Sequence, residues 1–285
     1  MENSRRRFFK NAGTGALTLG LSSSFLSGNL LAMNKKNITD KEGDLFKVGI
    51  AGWSFVKFKL EPSLEMMDRV NVRYLCIKDF HLPIDSTSEQ IAEFLDKLKA
   101  KGITGYGVGP IYMKSETEVD RAFDYAKRVG VKLIIGVPEH ELLPYVDKKV
   151  KEYDFHYAIH NHGLEDKRFP SVESIYERIK YLDTRVGICH DIGYSAQMGL
   201  DPAAVTLKYG QLIYEMHIKD MTLSAAHAKD CEIGRGVIDF PALVKALRKT
   251  KYAGICSIEN EKNNTDPLPG LAESVGYFKA VVKLV

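Results

Sequence analysis

Eight short apolar segments recur along this chain, and helix-like sequence separates each of them from the next. They are five or six residues long and rich in β-branched side chains, which is typical of buried strands. Strands that alternate with helices favour a parallel sheet, and eight such units suffice to close a barrel. The segments lie at residues 47–52, 72–77, 103–108, 132–137, 155–160, 186–190, 213–218 and 254–258. The sequence therefore predicts an α/β fold, a (β/α)8 TIM barrel that forms a single domain.

The predicted helices are recognisable from their first residues and from their apolar faces. Thr87 and Gln90 have the spacing of a capping box at the start of one of them. Behind this pair, Ile91, Phe94, Leu95 and Leu98 recur at the interval of one helix face. We expect such faces to pack against the outside of the barrel.

Length and composition fit one domain with a large core, because the chain has 285 residues and 45% hydrophobic content. We assign residues 45–285 to the barrel and residues 33–44 to a linker. The formal charge of the whole chain is +3, and residues 1–32 alone supply a surplus of three positive charges. The remainder is close to neutral, which argues against nucleic acid as a partner.

Residues 1–32 differ from the rest of the chain. Three consecutive arginines, Arg5 to Arg7, precede a stretch at 12–31 that contains no charged residue. This is the outline of a twin-arginine export signal, so we expect a periplasmic or exported protein, or a cytoplasmic one if the signal does not function. Glycines and serines interrupt the apolar stretch, and a stable membrane span is not expected.

Four side chains with affinity for divalent metals lie at or directly after the ends of the last four segments. They are His160, Asp191, His217 and Glu259. In a barrel of this kind the C-terminal strand ends meet at one rim, where the chemistry is usually found. Alternation along the strands turns these side chains inward, away from the helices. We therefore expect the four groups to converge on one ion.

Two imidazoles and two carboxylates suit divalent ions of the transition series, and the carboxylates also accept harder ions. We expect Mn²⁺ or Zn²⁺, with Mg²⁺ or Co²⁺ as alternatives. Such a set leaves coordination positions open for substrate oxygens, which a catalytic site needs and a structural site does not. The pattern therefore indicates an enzyme.

Five short motifs surround the predicted ligands. They are His160-Asn161-His162-Gly163, His190-Asp191-Ile192-Gly193, Met216-His217-Ile218-Lys219-Asp220, residues 232–240, and Ser257-Ile258-Glu259. In this order they resemble the sugar phosphate isomerase/epimerase family of xylose isomerase-like barrels, over residues 45–285. The resemblance implies that a Glu, an Asp, a His and a Glu hold the metal at the four positions above. Two positions depart from the family pattern: His160 replaces the first Glu, and Tyr194 replaces a His.

The resemblance implies a metal-dependent sugar isomerase or epimerase that acts through an enediolate on a carbohydrate or keto-sugar. Glu259 is then the base, and His160, Glu139 or His162 returns or relays the proton. Because the usual second Glu is absent, proton transfer on one face, as in isomerisation, is easier to support than epimerisation. A keto-sugar lyase or dehydratase and a non-catalytic sugar-binding protein remain the alternatives.

Six residues near the predicted rim are candidates for substrate binding. They are Trp53, Lys78, His81, His162, Lys219 and Arg235. Trp53 offers a flat ring for a sugar, and Lys219 shares the inward face of its strand with His217. An endonuclease on the same barrel is disfavoured, because it needs further histidines at the ends of strands two and three. We expect a small carbohydrate substrate, and the oligomeric state stays open, with a homo-oligomer as one option.

Overall fold

A computed structural model of the chain describes residues 43–285. In this part, eight strands close into one barrel of parallel neighbours with helices between them, so the predicted single-domain TIM barrel is confirmed. The predicted export signal, residues 1–32, lies outside the described residues. Residues 33–42 of the predicted linker also lie outside them. Both stay predictions. None of the helices within the described range is both long and apolar enough to cross a membrane.

The barrel strands lie side by side in chain order, and the last closes against the first. They are β1 (Lys47–Ala51), β2 (Tyr74–Ile77), β3 (Thr104–Met113), β4 (Leu133–Pro138), β5 (His156–His160), β6 (Val186–Asp191), β7 (Ile213–Ile218) and, eighth in the barrel, β10 (Ile255–Ile258). Two short strands, β8 (Asp220–Met221) and β9 (Asp230–Cys231), form a separate antiparallel pair after β7. The C-terminal ends of the eight parallel strands therefore form one rim.

Helices connect the strands. They are α1 (Leu60–Arg69), α2 (Ser88–Ala100), α3 (Glu116–Val129), α4 (Leu143–Tyr153), α5 (Val172–Ile179), α6 (Ile192–Gln197), α7 (Pro202–Tyr209), α8 (Phe240–Lys249) and α9 (Leu268–Leu284). The capping box predicted at the start of α2 is confirmed. Gln90 N donates to Thr87 Oγ1 at 3.3 Å, and Thr87 N donates to Gln90 Oε1 at 2.8 Å. On the predicted apolar face of α2, Ile91, Phe94 and Leu98 are buried, and Leu95 is partly buried against the core.

The third strand is longer than the sequence predicts. The expected segment ends at Val108, whereas β3 continues to Met113. Gly109 and Pro110 follow Val108, and the register with β4 shifts at this point. Proline has no N–H for a strand ladder, so the pair resembles a strand end in the sequence. The irregularity lets the strand resume, and Tyr112 reaches the rim as a result.

One carboxylate fastens the long loop that follows β7. Asp220 Oδ2 accepts hydrogen bonds from the backbone N–H groups of Gly234 and Gly236, at 2.9 and 2.8 Å. Its Oδ1 accepts from those of Met221 and Ile238, at 2.9 and 3.2 Å. Asp220 is only 1% exposed, so water has little access to replace these bonds. Asp220 therefore joins three separate positions of the loop to the end of β7.

We expect Asp220→Ala to lower the free energy of unfolding by about 3 kcal/mol, because several buried N–H groups lose their acceptor. Urea unfolding measures this loss. Asp239→Ala is the matched control, because Asp239 is exposed and accepts one hydrogen bond, from Ala242 N at the start of α8. It should cost about 1 kcal/mol. Equal losses for the two variants would mean that Asp220 is no more than an ordinary helix cap.

Candidate metal centre

The ends of β5, β6, β7 and β10 bring the four predicted ligands together. One ligand atom from each of His160, Asp191, His217 and Glu259 lies within 4.8 Å of the others. His217 Nδ1 is 2.9 Å from His160 Nε2 and 3.3 Å from Glu259 Oε2. All four side chains are buried. The four groups therefore lie close enough to contact a single ion.

Local contacts fix the position of Asp191. Its backbone N–H donates to Asn161 Oδ1 at 2.9 Å, and Asn161 Nδ2 donates to its carbonyl at 3.1 Å. The Asp191 side chain also caps α6, because Oδ1 accepts from Tyr194 N at 3.1 Å. Within the described residues, the other oxygen, Oδ2, is buried without a hydrogen bond. The Lys219 ammonium lies 3.3 Å from this oxygen, and a divalent cation could contact it as well, so the atom fits a metal donor set.

Glu259 and Lys219 form an ion pair at the rim. Lys219 Nζ lies 2.9 Å from Glu259 Oε2, and Lys219 is only 4% exposed. Burial alone would raise the pKa of Glu259, but the charges of Lys219 and His217 hold that pKa well below its usual range. Burial would likewise lower the pKa of Lys219, but the carboxylates of Asp191 and Glu259 outweigh it and raise that pKa. Glu259 is therefore ionised at neutral pH, as a general base must be.

A pocket of about 150 Å³ adjoins the four ligands, with His160 and Glu259 in its wall. The aromatic rings of Trp53, Tyr112 and Tyr194 also line it. Small-molecule sites are commonly built in this way, from flat apolar surfaces with a few polar groups between them. The pocket is therefore the candidate substrate site.

His162 lines the same pocket directly after the end of β5. Its Nδ1 lies 3.4 Å from His160 Nδ1 and 3.4 Å from Asp166 Oδ2, and its Nε2 lies 3.0 Å from the hydroxyl of Tyr112. Burial lowers the pKa of His162 to about 4. The ring is therefore neutral at pH 7, with one N–H to donate and one nitrogen to accept.

A buried polar layer lies inside the barrel, one inward-facing position below His217 on β7. The Tyr106 hydroxyl donates to Glu215 Oε1 at 2.5 Å and is hydrogen-bonded to Ser257 Oγ. Burial raises the pKa of Glu215 to about 7. The sequence analysis missed Glu215, although it precedes His217 by two residues and strand alternation points both side chains inward. It also missed Tyr112, which lies in the unpredicted part of β3.

The structure separates the remaining predicted site residues into two groups. Four of the six substrate-binding candidates line the pocket: Trp53, Lys78, His162 and Lys219. His81 does not. Its Nε2 lies 3.1 Å from the carbonyl oxygen of Phe58 and 3.2 Å from Ser63 Oγ, which holds the ring behind the rim. Local packing therefore uses the ring of His81, and substrate binding by His81 stays a prediction.

Arg235 and Glu139 also lie outside the lining of this pocket. Arg235 Nε and Nη2 donate to the two carboxylate oxygens of Glu273, at 2.5 and 2.7 Å. Glu139 Oε1 accepts from Arg168 Nη1 at 3.4 Å. Each of the two side chains forms an ion pair, and the roles of Arg235 in substrate contact and of Glu139 in proton return stay predictions.

The partly buried ring of His81 predicts a loss of stability in acid. Burial lowers the pKa of His81 below its usual 6.5, so the unfolded chain binds a proton at pH values where the folded chain does not. The His81 contribution is present above pH 6.5 and is lost as pH falls towards the lower folded pKa. We expect His81→Gln to flatten the fall in unfolding free energy below pH 6.5, measured by urea unfolding. His227→Gln, at an exposed position, is the control, and equal effects would contradict this role of His81.

The fold and the ligand cluster together define a TIM barrel with a candidate divalent-metal site at its C-terminal rim. The sequence profile of a family described as xylose isomerase-like TIM barrel matches residues 72–281. This match spans more than half of the chain. The chain therefore belongs to the xylose isomerase-like TIM barrel family.

Individual relatives agree with this assignment. The rhizopine catabolism protein MocC of Rhizobium meliloti is 33% identical over 101 residues, which is 30% of this chain and 31% of that protein. The 3-keto-D-glucoside 4-epimerase YcjR of E. coli has a similar structure, with a TM-score of 0.68, 15% identity, and coverage of 82% of this chain and 99% of that chain. The IolI protein with a zinc atom has a TM-score of 0.67 at 17% identity, with coverage of 84% and 98%. The two structural matches show a shared fold.

Proposed function

We propose that this protein is a divalent-metal-dependent carbohydrate isomerase or epimerase, which moves a proton beside a sugar carbonyl. The observation that carries this proposal is the convergence of His160, Asp191, His217 and Glu259 within 4.8 Å next to an aromatic-lined pocket. The relatives support it, because one is a keto-glucoside epimerase and another was crystallised with zinc.

The donor set suits an ion of the Mn²⁺ or Zn²⁺ type. Imidazoles favour the transition series, and carboxylates accept it as well as harder ions. The ion would be held by His160, Asp191, His217 and Glu259, and Asp191 Oδ2 is already buried without a hydrogen bond inside the described part of the chain. A divalent ion supplies Lewis acidity, which makes the C–H beside a sugar carbonyl more acidic.

The chain's own residues supply the proton transfer. Glu259 is ionised and borders the pocket, so its carboxylate accepts the proton from carbon. His162 borders the pocket from β5, three strands away around the barrel. Its neutral ring relays a proton by accepting one at one nitrogen and releasing one from the other, and Nε2 lies next to the Tyr112 hydroxyl. Trp53 and Tyr194 provide flat walls for the sugar ring and limit the access of water.

We expect solvent-derived deuterium to enter the carbon beside the carbonyl when the protein, Mn²⁺ and a substrate are incubated in D₂O. Free sugars, keto-sugars and sugar phosphates form the screening set, and proton NMR detects the exchange. A chelator should abolish the exchange, and added Mn²⁺ should restore it. Tight binding of a sugar without any exchange or conversion would contradict the enzyme assignment and favour a binding protein.

A keto-sugar dehydratase is the second candidate, and the neutral N–H of His162 favours it. This group lies beside the pocket, where it can donate a hydrogen bond to a departing hydroxyl, while Glu259 removes the proton from carbon and passes it to that hydroxyl, which leaves as water. The same NMR experiment separates the two reactions. An isomerase keeps the carbon skeleton saturated, whereas a dehydratase produces an unsaturated product and water.

A further inference from the structure

Lys219, directly after β7, places its ammonium among three carboxylates. Its Nζ lies 2.9 Å from Glu259 Oε2, 3.3 Å from Asp191 Oδ2 and 2.7 Å from Glu261 Oε2. Two of these carboxylates, Asp191 and Glu259, belong to the proposed ligand set. The ammonium therefore neutralises the same oxygen atoms that a divalent ion would bind.

The three contacts of Lys219 are not equivalent. Within the described residues, the hydrogen bond of its Nζ to a carboxylate is the one to Glu261 Oε2. Asp191 Oδ2 has no hydrogen bond, although Nζ lies close to it. The ammonium also lies 4.8 Å from the centre of the Tyr194 ring, on whose face a cation is stabilised. Lys219 can therefore leave Asp191 and Glu259 while it keeps its hydrogen bond.

Charge makes such a movement necessary when an ion binds. A divalent cation in contact with Asp191 and Glu259 would lie close to the Lys219 ammonium, and like charges repel strongly where water is scarce. Lys219 is 4% exposed, whereas the side chain of Glu261 is 27% exposed and borders solvent. Glu261 thus offers the outward position with the opposite charge.

We propose that Lys219 competes with the divalent ion for Asp191 and Glu259. Its ammonium contacts these two carboxylates when no ion is bound and withdraws to Glu261 when the ion binds. Lys219 and Glu261 then set the metal affinity of the centre, as residues that do not themselves ligate the ion. This inference rests on the proposed function, because it assumes that the four residues hold a metal. It gives Glu261, which sequence analysis did not select, a role in positioning Lys219.

A metal titration tests the proposal without any substrate. Chelator-treated full-length protein is titrated with Mn²⁺, and electron paramagnetic resonance measures the concentration of free Mn²⁺. We expect Lys219→Met to tighten Mn²⁺ binding at least about tenfold, because the repelling charge is removed. We expect Glu261→Gln to weaken it about fivefold, because the ammonium loses its outward partner. If Lys219→Met does not fold, as judged by circular dichroism, Glu261→Gln alone decides.

Matched control variants and a double variant separate competition by Lys219 from a general effect of charge on Mn²⁺ affinity. Lys262, the residue after Glu261, forms an exposed ion pair with Glu232. Lys262 Nζ lies 2.7 Å from each of the two Glu232 carboxylate oxygens. Lys262→Met and Glu232→Gln make the same charge changes and should alter Mn²⁺ affinity less than twofold. In the Lys219→Met background, Glu261→Gln should have little effect, because no ammonium remains to be held.

Each outcome of the Mn²⁺ titration either supports or overturns the proposal. Tighter Mn²⁺ binding by Lys219→Met supports the proposal. Mn²⁺ binding by this variant also supports it if the natural protein binds no Mn²⁺. Mn²⁺ binding by the natural protein that Lys219→Met leaves unchanged overturns the competitor role and leaves the proposed function intact. Equal weakening by Glu261→Gln in both backgrounds overturns the withdrawal to Glu261. No Mn²⁺ binding by any variant overturns the proposed function together with this inference.

Discussion

Replacement of Glu259 by Gln should lower kcat about 10³-fold at saturating Mn²⁺, because the variant keeps the shape of the side chain but loses the group that accepts the proton. Because Glu259 is buried beside Lys219, we expect no base from solvent to replace it readily. Steady-state kinetics measures kcat, and NMR measures the rate of deuterium exchange into the substrate. Both rates should fall together, because both depend on the same base.

Glu232→Gln is the matched control for this prediction. Glu232 pairs with Lys262 on the surface and does not line the pocket, so its replacement should leave kcat within about twofold. Circular dichroism and metal analysis establish that Glu259→Gln is folded and still loads some metal. Near-normal exchange in that variant would remove Glu259 from the role of base.

Asp191→Asn should weaken Mn²⁺ binding about 100-fold and abolish turnover at limiting metal, because one ligand charge is lost. The fold should survive, since the amide oxygen of Asn can still accept the hydrogen bond from Tyr194 N that caps α6. Isothermal titration calorimetry measures the metal affinity, and thermal unfolding in the presence of chelator measures the stability.

Asp201→Asn provides the comparison for Asp191→Asn. Asp201 caps α7 through a hydrogen bond of 2.9 Å from Ala203 N, but it is exposed and does not belong to the ligand cluster. The same chemical change there should leave Mn²⁺ affinity unchanged. A similar loss of affinity in both variants would show that capping, rather than ligation, explains the effect.

The barrel could be predicted because its signals are local. Each strand is a short apolar run between helices, and the helix starts carry side chains such as Thr87 that cap their own backbone. The convergence of His160, Asp191, His217 and Glu259 followed from one topological fact, that parallel strand ends share a rim. No knowledge of side-chain contacts was needed for either step.

The rest of the site depends on contacts between residues far apart in sequence. The sequence cannot reveal that the ring of His81 is held by Phe58 and Ser63, nor that Arg235 is neutralised by Glu273 on α9. The extension of β3 was hidden because a Gly-Pro pair normally ends a strand. Residues in loops, such as Glu261, follow no periodicity, so only the fold brings them to Lys219.

A crystal of the protein soaked with Mn²⁺, with anomalous scattering recorded at the manganese edge, would locate the bound ion. We expect one strong anomalous peak in contact with His160, Asp191, His217 and Glu259, at the ends of β5, β6, β7 and β10. A fully occupied peak elsewhere, or no peak at Mn²⁺ concentrations that support sugar conversion, would contradict this expectation.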